Sequence, residues 1–122
     1  MSWALAILRG DPRDLARPAA LDPLDRAAAG RVLGEDLHAG DTLAVEVHET
    51  VAEDGTLRWL TFGIGFDTTT TDMELARQRR EYAQLLDRLA DLADALDARL
   101  LDPQRRRSLE RHELPSIAQA LT

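Results

Sequence analysis

The stretch LAVEVHETVAEDGTLRWLTFGIGF, residues 43–66, decides the fold. Two extended, β-rich runs flank Asp54-Gly55, a dipeptide that favours a two-residue type I′ hairpin turn. With that pair as the turn, Leu43 faces Phe66, Val45 faces Ile64, Val47 faces Phe62 and Glu49 faces Leu60. Strand side chains alternate, so these eight share one face. A slip of one residue would scatter them, and the pattern therefore selects its own register. The second face carries Ala44 opposite Gly65, Glu46 opposite Gly63, His48 opposite Thr61, and Thr50 opposite Trp59.

Downstream, Thr71-Asp-Met-Glu74 has the form of a capping box. Leu75, Tyr82, Leu86, Leu89, Ala93, Leu96 and Leu100 then follow in a four-three rhythm interrupted by Arg79. The spacing predicts one amphipathic helix over 72–100, about 40 Å long at about 1.5 Å per residue. A chain of this size has a radius of gyration near roughly 14 Å. The helix therefore spans the sheet from end to end, or one end of it meets another chain.

Upstream, residues 3–8 read as a strand. Asp-Pro recurs at Asp11-Pro12, Asp22-Pro23 and Asp102-Pro103. Asp can cap a helix whose first position is Pro, where no N–H is needed. Short helices are expected near 12–17, 23–33 and 103–112, the second stopping at Gly34. Residues 99–102 form a short strand or the helix end, and Ser116 caps a last helical turn.

The order implies an α+β fold in one domain, 1–122: a small, mostly antiparallel sheet, made of the hairpin 43–66 and the N-terminal strand, packed on one long helix. A ferredoxin-like topology leads, its first helix broken by Pro18 and Pro23. A three-stranded sheet under a helical layer is the alternative.

With 122 residues, 44% of them hydrophobic, the chain can bury one core. A net charge of −7 argues against nucleic-acid binding, which needs a positive surface. It suits a basic protein partner. No cysteine is present, and no apolar run approaches the roughly 20 residues that cross a bilayer. A cytoplasmic location is expected, with no membrane contact.

On the second hairpin face, Glu46, His48, Thr50, Trp59 and Thr61 stand together beside two glycines. A carboxylate can orient an imidazole, and Trp offers a broad binding surface with one N–H donor. These five are the candidate ligand- or partner-binding residues. Glu46 and His48 share that face, while Glu49 points away. Two ligands do not complete a zinc site, and nothing places His38 or His112 nearby, so no metal site is expected. Gly63-Ile-Gly65 lacks the third glycine of a dinucleotide loop, and Asp67, Asp72 and Glu74 would repel phosphate there. No cofactor and no catalytic nucleophile are expected. Arg105, Arg106 and Arg107 form a small basic spot suited to carboxylate or phosphate. On a helix, three consecutive residues point three ways, so they read as a solvated surface that pairs with the Asp-rich helix.

Asp22-Pro-Leu-Asp-Arg26 opens the helical stretch to Leu33, and Gly40-Asp-Thr-Leu-Ala-Val-Glu-Val47 follows it. Together they resemble the small C-terminal subdomain of Clp-type AAA+ unfoldases: a helix, a Gly-Asp turn, then a strand. The chain has no Walker motif and no sensor arginine in a Gly-Ala-Arg context, so the resemblance implies no ATPase activity.

The functional expectation is a non-catalytic, acidic interaction protein of the immunity, antitoxin or adaptor kind. Its partner would be another protein or itself, as a homodimer. The alternative is a small-ligand-binding regulatory domain or small enzyme using the Glu46/His48/Trp59 face.

Overall fold

The computed structural model describes residues 2–34 and 40–121. Five strands are built in chain order: β1 (Ser2–Leu8), β2 (Leu43–Val51), β3 (Leu57–Phe66), β4 (Arg99–Asp102) and β5 (Arg107–Ser108). Three α-helices accompany them: α1 (Arg26–Gly34), α2 (Asp72–Ala95) and α3 (Leu114–Gln119). The fold is α+β, with one antiparallel sheet in the order β2-β3-β1-β4-β5. Five strands replace the three of the alternative layout.

The core lies between this sheet and α2. Leu5, Ile7, Leu60, Phe62 and Ile64 are all 0% exposed and meet Tyr82, Leu85, Leu86 and Leu89. Alternation along the strands and the helical stripe supply these residues, and burying each side chain contributes roughly 1.5–3 kcal/mol before entropy. Leu24 and Ala29 join the same cluster, so α1 lies on the α2 side of the sheet.

The hairpin register is the expected one from Leu43↔Phe66 to Thr50↔Trp59, but the turn is not type I′. Gly55 N–H donates to Ala52 O at 2.9 Å, and Ala52 N–H to Thr56 O at 3.0 Å. The loop thus has three residues, with Gly55 left-handed at φ +83°. This shifts the pairing by one, and Val51 pairs Leu57. A bulge at Arg58 absorbs the extra residue and restores the register at Thr50↔Trp59. Its side chain donates to Leu21 O and, at 2.9 Å, to Asp54, holding the bulge in place.

Helix α2 begins as expected: Thr71 Oγ1 accepts from Glu74 N–H at 3.1 Å. It ends at Ala95, five residues before the expected end at residue 100. Asp97 adopts φ +52° and Ala98 N–H reaches back to Ala93 O at 2.8 Å, a Schellman-type stop without glycine. Leu100 keeps its place in the core, now from β4. Arg79, the interruption in the stripe, donates its Nε to Leu121 O at 2.8 Å and so anchors the C-terminal segment.

Two Asp-Pro expectations are corrected. The second helix starts at Arg26 because Asp25, not Asp22, accepts from the Ala27 and Ala28 amides at 3.0 and 3.1 Å. Asp22 instead bridges Arg9. No helix follows Asp102. Its Oδ1 accepts from the Gln104 and Arg105 amides at 2.9 and 3.4 Å, Arg106 turns left-handed at φ +52°, and the chain returns as β5. Only a 3₁₀ turn, Arg111–Glu113, lies in the range expected to be helical. Ser116 lies inside α3, not at its cap. The helix expected at 12–17 is a 3₁₀ segment, Pro12–Ala16, capped by Asp11. No helix among the described residues is long and apolar enough to cross a membrane.

Candidate functional site

β2 is the outermost strand and pairs only with β3 among the described residues. Thr42 O accepts from Asp67 N–H at 3.0 Å, one step beyond the Leu43↔Phe66 pair. In an antiparallel ladder, backbone groups alternate in direction. Even-numbered residues of β2 therefore turn their N–H and C=O toward β3. Leu43, Val45, Val47 and Glu49 turn theirs outward, and Val51 joins them because Ala52 bonds inward to Thr56. Val47 and Val51 are two of the three large apolar side chains counted as exposed among the described residues, at 37% and 44%.

The second sheet face is built in rows across the strands. One row is Thr50, Trp59, Leu8 and Arg99; the next is His48, Thr61, Ala6 and Leu101. Glu46, Gly63 and Ala4 follow, then Ala44 and Gly65. Leu21, from the segment after β1, closes over Ala6, Leu8, Leu101 and part of Trp59. The face is thus covered at one end and open at the other. At the open end, a Cβ on Gly63 or Gly65 would have no neighbour nearer than 4.0 and 3.9 Å. Space inside the chain does not require glycine there.

The five candidate residues divide between these regions. Glu46 and His48 are exposed, with Oε2 and Nε2 3.6 Å apart. Thr61 and Thr50 are half-buried beside them, and Trp59 is drawn into the covered cluster. Among the described residues no group of three or more His, Asp or Glu is placed to hold a metal. His38 lies outside the described residues.

Arg105 and Arg106 sit on the β4–β5 turn and Arg107 opens β5, so none of the three lies on a helix. Arg107 pairs with Glu113, and Arg105 Nε stands 3.8 Å from Asp102 Oδ2. Arg111 is the arginine that reaches the Asp-rich flank of α2, at 3.0 Å from Asp91 and 2.7 Å from Asp94.

Beside this turn is a feature that sequence reasoning missed. A cavity of about 260 Å³ opens between the sheet, α2 and α3, walled by Trp3, Phe66, Tyr82, Leu109, Ile117 and Leu121. Asp102, Arg105, Arg107 and Ala120 complete its lining. Phe66 and Tyr82 meet edge to face at 5.1 Å. Burial, with the Asp102 carboxylate adding to it, pushes the Tyr82 phenol up to about 12. The walls come from β1, β3, α2 and the segment from β4 to α3, and no local signal joins them. Neither this cavity nor a second one beside Ala90, Leu100 and Arg111 takes a wall from the five candidate residues.

At the open end of the hairpin, Glu81 secures the loop into β2. Burial alone would raise its carboxyl. The Thr42 hydroxyl and amide, the Asp41 amide and Arg77 together hold it below the ordinary value. A Cβ at Gly40, itself at φ +100°, would fall 2.4 Å from the Glu81 Cδ. The entry to β2 is therefore rigidly determined.

The chain matches no known protein family, no curated protein sequence and no solved structure.

Proposed function

We propose that this protein is a non-catalytic interaction module whose first partner is a second copy of itself, paired through the outer edge of β2. The observation that carries this reading is the self-complementarity of that edge. β2 runs from Leu43 to Val51 and is centred on Val47. Two copies related by a two-fold axis at Val47 would pair Val47 with its counterpart, Val45 with Glu49, and Leu43 with Val51. Every outward-facing backbone group would then meet an outward-facing group. The exposed Val47 and Val51 gain apolar neighbours, and Glu46 lies opposite the partner copy's His48. An imidazole opposite a carboxylate can hydrogen-bond to it, whereas like charges across a strand pair repel.

An unpaired, nine-residue edge is otherwise a liability that proteins cover or blunt. The open face beside it extends the surface available to a further protein, since glycines that their own chain does not require mark places where another backbone approaches closely. The order β2-β3-β1-β4, with both α1 and α2 on one side, supports a ferredoxin-like reading of the fold to which β5 adds an edge strand. A cytoplasmic setting belongs to the same proposal, on the sequence grounds given.

Sedimentation equilibrium tests it. The expected result is a reversible dimer. Val47→Pro should be monomeric with an unchanged circular dichroism spectrum, because proline is tolerated where an edge-strand N–H faces outward. His48→Glu should weaken the dimer several-fold by facing Glu46 with a like charge, and Glu46→His added to it should restore the affinity. A wild-type chain that stays monomeric at millimolar concentration, or a dimer indifferent to Val47→Pro, contradicts the reading.

A further inference from the structure

Three of the chain's five aromatic side chains, Trp3, Phe66 and Tyr82, come from three separate elements to wall the same cavity. A space bounded in this way would ordinarily collapse or be filled, because interiors pack to crystal density. This one stays open at about 260 Å³. A dry cavity of roughly 150 Å³ accepts benzene. By proportion, this space suits a body of roughly ten non-hydrogen atoms.

Its polar groups are few and specific. Tyr82 is only 4% exposed, and its hydroxyl makes no hydrogen bond among the described residues. Yet Arg58 Nε is the only fully buried side-chain polar atom without a partner among the described residues. The phenol oxygen therefore reaches open space, and the space that Tyr82 lines is this cavity. The Arg105 side chain is 70% exposed at the rim; among the described residues it makes no hydrogen bond and one long ion pair, with Asp102 at 3.8 Å. Arg107 is already engaged by Glu113. Asp102 has Oδ1 held by two amides and Oδ2 facing Arg105 at 3.8 Å. The donors facing the cavity are a phenol and a guanidinium that makes a single long ion pair, with Asp102 at 3.8 Å, and both suit an anionic oxygen.

We propose that this cavity binds a small carboxylic acid with an apolar, ring-sized body, the body among Trp3, Phe66 and Tyr82 and the carboxylate at Arg105 with the Tyr82 hydroxyl donating to it. The site is independent of the β2 edge. Its occupant is a small molecule and not a partner's side chain, because the charge sits at the rim, where a free carboxylate ends and a peptide backbone would continue.

The full-length chain carrying Trp59→Phe leaves Trp3 as the sole tryptophan, so its fluorescence reports on the cavity wall. This protein is titrated with phenylpropionate, phenylpropanol and phenylpropylamine. Phenylpropionate should quench or shift the emission saturably and bind about tenfold more tightly than the alcohol, as expected of a charge-assisted hydrogen bond. Arg105→Gln, a change at an exposed residue, should erase that preference, bringing the affinity for the acid down to that for the alcohol. Tyr82→Phe should weaken the acid more than the alcohol. Equal binding of acid and alcohol, tighter binding of the amine, no saturable response to any of the three, or an acid preference that survives Arg105→Gln would each overturn the proposal.

Discussion

The two faces of the sheet are made by the same strands, yet they obey different rules. Toward α2, alternate positions hold Leu5, Ile7, Leu60, Phe62 and Ile64, all sealed from solvent. On the opposite face, large apolar residues appear only where something covers them. Leu8, Leu101 and Trp59 lie under Leu21, while the uncovered rows carry Ala4, Ala44, Gly63, Gly65 and Glu46, and His48 stands exposed at the outer end of the row whose inner end, Ala6 and Leu101, is covered. Apolar bulk thus tracks coverage. The open region is polar or small because it meets water in the single chain, and it is flat because nothing there stands tall.

The largest break in this contrast should come from the sealed side. Phe62→Ala is expected to cost about 3–5 kcal/mol in urea unfolding, because its cavity cannot collapse between sheet and helix. The equivalent change on the covered end of the second face, Leu21→Ala, should cost about 2–4 kcal/mol. It should also red-shift Trp59 emission as the cover loosens, and an unshifted spectrum would mean Trp59 does not depend on Leu21. The Tyr82 phenol sharpens the burial argument through pH. Its folded value is raised from 10.0 to about 12, so its contribution to stability is complete below pH 10 and is lost as pH climbs toward 12. Absorbance of the only tyrosine should titrate near 12, returning to near 10 in urea. The smallest effect belongs to the open end. Gly63→Ala should stabilise by about 0.5–1 kcal/mol, because it removes unfolded-state freedom where a Cβ has room. A loss of stability there would show that this row is covered.

How far the sequence could be read follows from the range of each signal. The hairpin register was legible because alternation is enforced over many residues at once. Its turn was not: Asp54-Gly55 suits both a two-residue turn and a three-residue loop with left-handed Gly55, and the bulge at Arg58 hides the difference from every pair beyond it. The start of α2 carried its own cap at Thr71, whereas its end at Asp97 lacks a glycine, and Leu100 continues the apolar stripe into the next strand. Asp102-Pro103 offered the same two residues that begin a helix. The pairing of β4 with β1 and of Leu101 with Ser108 decided for a hairpin instead. The Glu46/His48 row was found by alternation. The aromatic cavity was not, because its walls join residues 3 to 121 and exist only once α3 has packed on α2.

The sharpest test of the self-pairing edge is amide hydrogen exchange along β2 as a function of protein concentration. The N–H groups of Ala44, Glu46 and His48 should be protected at every concentration by β3. Those of Val45, Val47 and Glu49 should gain protection only as the protein is concentrated, and lose it in Val47→Pro. If these odd-numbered amides exchange freely at all concentrations, β2 is an unpaired edge and the proposed dimer does not form.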